Sequence, residues 1–149
     1  MPVWPAMENE MGRVLTEVTI ENLGDLYTVA RGLMSPDKVR RIVVPDALVD
    51  SGARLLSLPT KLISQLALSK VGTRQVTTSK GPAVADLYDA VKLTIQDRSC
   101  TTDVLEVPDS VPVLVGQLPL EHLDFVIDMT AHALIGNPAH GGELVYEMY

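Results

Sequence analysis

The sequence predicts a mainly β domain with one or two short helices, and three observations carry that reading. The chain is 46% hydrophobic but only 4% aromatic, so its core must be assembled from Val, Leu, Ile and Ala, and Val-rich runs favour strands. Ten prolines and ten glycines are scattered along it, which suits many short elements joined by turns rather than a few long helices. Its 149 residues fit one domain with room for a sizeable core.

The elements follow in order. Residues 1–11 read as a polar, proline-containing extension, and 12–136 as the folded domain. Partial alternation through Val14, Val18 and Ile20 predicts a strand over 12–22. Residues 23–38, with Gly24, Gly32 and Ser35-Pro36-Asp37, read as a long connection holding a short helix or a hairpin. A second strand spans 39–44, is punctuated by Pro45-Asp46, and resumes in extended form over 47–49. Residues 55–58 are strand-like. Pro59 then suits the first position of a helix, where its missing amide does no harm, and Leu62, Ile63 and Leu66 recur at helical spacing through 68. Extended runs at 73–78 and 83–88 flank Ser79-Lys80-Gly81-Pro82, a hairpin signal. A second pair, 91–96 and 100–107, flanks Asp97-Arg98. The apolar run 112–115 stops at Gly116, and Leu118-Pro119 opens a helical turn with Leu120 and Leu123 inward. Residues 125–127 and 133–135 pair as a last hairpin, and a tail, 137–149, follows through the flexible stretch 138–142.

Composition removes several function classes. A net charge of −7 argues against a nucleic-acid binder, which needs a basic surface for phosphates. No run approaches the roughly 20 apolar residues of a membrane span. The opening residues lack the basic start and apolar stretch of a signal peptide, and a lone Cys100 cannot form an intrachain disulfide, so a cytoplasmic protein is expected. Cys100 itself reads as a small buried residue. His122, His132 and His140 are too scattered for a metal site, and no metal or cofactor is expected. There is no Gly-x-Ser-x-Gly elbow, Gly72, Lys80 and Gly81 do not have phosphate-loop spacing, and Trp4 with its few aromatic companions builds no stacking platform.

The segment with chemistry in it is Ala47-Leu48-Val49-Asp50-Ser51-Gly52-Ala53. An aspartate leaves an apolar strand and meets a small hydroxyl residue and a glycine. Burying a carboxylate is costly unless it is paired or used, while Gly52 permits a tight turn and Ser51 can fix the loop by local hydrogen bonds. The same tripeptide is also an ordinary strand-to-turn corner, since Asp, Ser and Gly are common turn residues.

The ordered set of motifs resembles the retropepsins, the retroviral-type aspartic proteases, in a bacterial form. Leu48-Val49 leading into Asp50-Ser51-Gly52-Ala53 is similar to that family's catalytic signature, and Leu58-Pro59 with the helix after it resembles bacterial members. The hairpin 77–83 falls where the family carries its flap, and Val113-Leu114-Val115-Gly116 resembles its second signature. The resemblance implies a closed, barrel-like β protomer that acts as a homodimer, with itself and a peptide or protein substrate as partners. No other aspartate here is followed by both a small hydroxyl residue and a glycine, so the two carboxylates of an aspartic protease must come from Asp50 of two chains. Asp50, Ser51 and Gly52 are then the catalytic candidates. Ala53 and the flap residues Thr78, Ser79, Lys80 and Gly81 are the substrate-binding ones, with Leu56, Val84 and Val115 lining side-chain pockets. An acidic to near-neutral pH optimum follows from a pair that shares one proton.

The chain departs from the viral pattern at Gln117-Leu118, where a cation usually braces the dimer, and at Arg54, where further acidic residues are common. Two functions therefore stay open: an aspartic endopeptidase, or a catalytically silent dimerisation or peptide-binding module of the same fold. The second gains from Arg54, because a nearby cation holds carboxylates ionised. For the tail three roles stay open: an added interface strand, an autoinhibitory or self-processed segment, or a packed or frayed terminus.

Overall fold

The alternation in the first strand has a bulge beside it. A computed structural model describes residues 13–148; the extension expected over 1–11, Trp4 within it, Gly12 and Tyr149 lie outside the described residues. In β1 (Leu15–Asn22), Val18, Ile20 and Asn22 face inward. It pairs antiparallel with β2 (Arg41–Val49), Ile20 opposite Ile42 and Leu15 opposite Leu48. Thr16 faces Ala47 whereas Val18 faces Val44, so β2 has one extra residue near Pro45-Asp46. Proline cannot donate to the ladder, and a bulge accommodates it without ending the strand. What punctuates the sequence at Pro45 is thus a kink within one strand.

The connection between β1 and β2 forms α1 (Leu23–Ala30) and a 3₁₀ turn, Pro36–Lys38. Asn22 organises it: Oδ1 accepts from Asp25 N at 3.0 Å, capping the helix, while Nδ2 donates to Leu66 O at 2.8 Å. Buried Asp25 accepts from Arg40 Nε at 2.9 Å and Nη2 at 2.8 Å, and that guanidinium holds its carboxyl below the usual range.

Then come β3 (Leu56–Pro59), α2 (Thr60–Leu66), β4 (Lys70–Thr78), β5 (Gly81–Ile95), β6 (Arg98–Val107), β7 (Leu114–Val115), α3 (Gln117–His122), β8 (Phe125–Asp128) and β9 (Ala133–Gly136). The two strands expected over 83–88 and 91–96 are one strand, β5, with an irregularity between Tyr88 and Val91 where its pairing with β6 shifts. That length closes the fold. The first part of β5 pairs with β4, while Val91–Thr94 reaches back to β1. Six strands thereby form a ring in the order β1-β2-β7-β3-β6-β5 and back to β1, with β4 outside it on the projecting hairpin. This is the mainly β, barrel-like architecture that the resemblance implies, and α1 settles the connection over 23–38 as a short helix rather than a hairpin. Leu56, Leu58, Val91, Leu93, Val104 and Val115 fill the ring, and Leu120, Leu123 and Phe125 join the same core. Each such side chain contributes roughly 1.5–3 kcal/mol by leaving water.

Candidate active site

β2 hands Asp50 to a turn whose backbone is tied down on both sides. β7 lies parallel to β2, with Val115 beside Val49, and antiparallel to β3. Asp50 N donates to Val115 O at 3.0 Å, and Ala53 N to Asp50 O at 3.0 Å. From the far side, the chain leaving β7 fastens the rest of the loop: Gly116 N donates to Leu55 O at 3.1 Å, Gln117 N to Ala53 O at 2.9 Å and Leu118 N to Arg54 O at 2.9 Å. The crossing is so close that a Cβ on Gly116 would lie 2.5 Å from Leu55 O and 2.7 Å from Arg54 C. Only glycine fits, for reasons of space rather than dihedral angle, since φ is −88°.

The Asp50 carboxylate is held the same way. Oδ1 accepts from Gly52 N at 2.9 Å, and a Cβ on Gly52 would sit 3.2 Å from that oxygen. Oδ2 is buried and has no hydrogen-bond partner among the described residues. Native structures seldom leave a buried acceptor unpaired, because the lost hydration is not recovered. Asp50 enters no ion pair among the described residues, and neither does its neighbour Arg54. The cation that sequence places near the carboxylate therefore makes no ion pair with it.

Ser51, Gly52 and Ala53 line a recess of about 240 Å³ together with Arg54, Gln117, Leu118 and Glu121. A larger groove, about 690 Å³, runs between Arg13, Asp46, Lys61 and Asp109 and contains none of the Asp50 turn. Thr78, Ser79, Lys80 and Gly81 form the tip of the β4–β5 hairpin, where Thr78 Oγ1 donates to Gly81 O at 2.9 Å and accepts from Lys80 N at 3.1 Å. No hydrogen bond among the described residues joins this tip to the Asp50 turn. Of the side chains expected to line pockets, Leu56 and Val115 instead face the core with no exposure, because the inward face of β3 and β7 is the barrel interior; Val84 is 67% exposed on the hairpin.

Cys100 packs against the core, and burial pushes its thiol up to about 11. Among the described residues, no group of three or more His, Cys, Asp or Glu is placed to hold a metal ion.

A second polar cluster, absent from the sequence reading, gathers the C-terminus. The stretch 138–142 expected to be flexible contains a 3₁₀ turn, Pro138–His140, capped by Asn137. Asp124 Oδ2 accepts from His140 Nδ1 at 2.6 Å and from Val145 N at 3.1 Å, while Asn137 Nδ2 donates to Oδ1 at 3.2 Å. His140 Nε2 meets Glu147 Oε2 at 3.1 Å. Carboxylates only accept, so a ring facing one on each nitrogen carries both protons. Accordingly Asp124 holds the imidazole pKa above its ordinary value, helped by Glu147, and His140 holds the Asp124 carboxyl below its own. Arg98 Nη1 donates to Leu123 O at 2.8 Å and Asp124 O at 2.9 Å, with its guanidinium 4.6 Å from the Phe125 ring centre. These bonds fasten residues 137–147 to the chain's own β8–β9 region. Asp124 and His140 are too far apart in sequence for spacing to reveal the pair; the β8–β9 hairpin brings them together.

The profile of the aspartyl protease family matches residues 41–138, from the start of β2 to just past β9. Among curated proteins, none matches the chain.

Proposed function

The chain belongs to the retropepsin-like aspartyl protease family, and from that premise we propose that it is a homodimeric endopeptidase whose water is activated by Asp50 from each of two protomers. The observation that carries this reading is the unpartnered Oδ2 of Asp50 on a turn where the flanking backbone is otherwise hydrogen-bonded. One protomer leaves that acceptor without a donor. A second carboxyl that bears a proton, with a water between the two, supplies what is missing.

Two carboxyls about 3 Å apart cannot both ionise cheaply, so they hold one proton between them and titrate as a pair. The ionised member takes a proton from the water as its oxygen attacks the scissile carbonyl carbon. The protonated member gives its proton to the carbonyl oxygen. The tetrahedral diol then collapses: one carboxyl gives its proton to the leaving amine as the C–N bond breaks, the other carboxylate takes a proton from a diol hydroxyl as the C=O re-forms, and no acyl-enzyme forms. Ser51, whose hydroxyl enters no hydrogen bond within the described protomer, braces the two turns, and Gly52 N steadies the carboxylate. The hairpin tip Thr78–Gly81, together with Ala53, closes over an extended peptide and keeps bulk water out. An acidic to near-neutral optimum follows, because activity needs one proton per pair. Among the described residues no helix is long and apolar enough to cross a membrane, and a lone cysteine suits a reducing, cytoplasmic setting. Arg54, the cation that would favour the silent-module alternative, makes no ion pair with Asp50 among the described residues.

The test is Asp50→Asn. The variant keeps the size of volume and shape of the side chain but not its ionisation. It is expected to retain the dimer mass and lose cleavage of a mixed peptide library at every pH, whereas cleavage at the wild-type rate would overturn the proposal.

A further inference from the structure

The recess beside Asp50 holds one charge of each sign. Arg54 stands two residues after Gly52 and Glu121 stands on α3, and both line the same space as Ser51. Both side chains are exposed, and neither enters an ion pair among the described residues. Their backbones share one frame: Leu118 N donates to Arg54 O at 2.9 Å, and Leu118 lies in the first turn of the helix that carries Glu121. Gln117 and Leu118, on the same wall, bring no charge.

A two-fold axis that brings Asp50 to its own copy must pass beside this recess. In such an interface the same patch meets itself, so a residue that contacts a second is answered by the reverse contact. A patch with one unpaired cation and one unpaired anion is self-complementary under that operation. We propose that Arg54 of each protomer pairs with the partner's Glu121 across the Asp50 axis, so that two reciprocal ion pairs set the register of the catalytic turns. The inference rests on the dimeric reading above and names the contact that staples it. Charge complementarity of this kind fixes register and rejects misaligned encounters more than it adds affinity.

Reciprocity supplies the test. Arg54→Glu and Glu121→Arg are made separately in the full chain, Asp50 intact, and dimer dissociation is measured by sedimentation, with peptidase rate alongside. Either variant alone faces like charges at both contacts and dimerises roughly tenfold or more weakly than wild type, from two exposed pairs lost and reversed. An equimolar mixture of the two restores opposite charges at both contacts in the mixed dimer, so tight association and cleavage return together; that rescue also shows that both variants fold. Single variants that dimerise like wild type overturn the proposal. So does a mixture no tighter than its components. The failures remain separable: a dimer with Asp50-dependent cleavage but charge-insensitive association sinks only the ion pairs, whereas a wild-type monomer that cleaves at full rate sinks the dimeric reading with them.

Discussion

Gly116→Ala attacks the crossing that positions Asp50, and its cost can be worked from the geometry. The added methyl would lie 2.5 Å from Leu55 O, 2.7 Å from Arg54 C and 2.8 Å from Ala53 C, all of them backbone atoms that cannot rotate away. Ordinary carbon contacts start near 3.5 Å, so the two segments must part by roughly 1 Å. That separation stretches the Gly116–Leu55, Gln117–Ala53 and Leu118–Arg54 hydrogen bonds, now 2.9–3.1 Å, beyond useful range. Three such bonds at about 1 kcal/mol each and overpacking at about 1–3 kcal/mol are offset by about 0.4–1 kcal/mol from a stiffer unfolded chain. The net loss is then roughly 3–5 kcal/mol, a large part of a typical domain's stability. Urea unfolding followed by far-UV circular dichroism, at fixed protomer concentration, measures it. Catalysis should fall by about 10²-fold or more in the surviving folded fraction, the usual cost of a 1 Å misplacement. Gly72→Ala is the control, because its methyl would meet nothing nearer than Arg74 Nη1 at 3.9 Å, and it should shift stability by no more than about 0.5 kcal/mol. If Gly116→Ala unfolds at the same urea concentration as this control, the close crossing is not what holds the turn.

Two further outcomes follow from packing and charge. Leu56→Ala should destabilise the fold by about 2–5 kcal/mol while leaving KM for any cleaved peptide unchanged, since Leu56 fills the barrel; a selective rise in KM would return it to a substrate pocket. The Asp124–His140 clasp gives a pH window. The carboxyl pKa is lowered in the fold, so its contribution is present above the ordinary carboxylate range and is lost as pH falls through the lowered value. The imidazole pKa is raised, so its contribution is complete below the ordinary histidine value and is lost as pH rises through the raised one. Limited proteolysis at Tyr146 should therefore be slowest between those limits and quicken on the alkaline side, and His140→Ala should flatten that alkaline rise; an unchanged profile in the variant contradicts the clasp.

Local pattern made much of this molecule readable. The strands showed because Val18 and Ile20, or Val91, Leu93 and Ile95, alternate toward one core, and Asp50-Ser51-Gly52-Ala53 stands out because an acid follows an apolar strand. The unreadable parts depend on distant partners. Nothing local says that Tyr88 to Val91 continues as one strand; the pairing of Val91–Thr94 with β1 decides it. Over 23–38 local pattern leaves a short helix and a hairpin equally open, since Gly24 and few inward residues mark neither; α1 forms because Asn22 caps it and Arg40 neutralises Asp25. Leu56 and Val115 were indistinguishable from pocket residues until the ring showed which way their faces point. The His140 clasp was hidden for the same reason, as Asp124 and His140 meet only after β8 and β9 pair.

The central claim is that one site requires Asp50 from two chains. Its most direct test adds Asp50→Asn protein to a constant total of protomers, lets subunits exchange, and follows the peptidase rate. If both carboxylates are required, mixed dimers are silent and the rate falls with the square of the wild-type fraction. A rate that falls in simple proportion to that fraction would mean each protomer cleaves alone, and the account would fail.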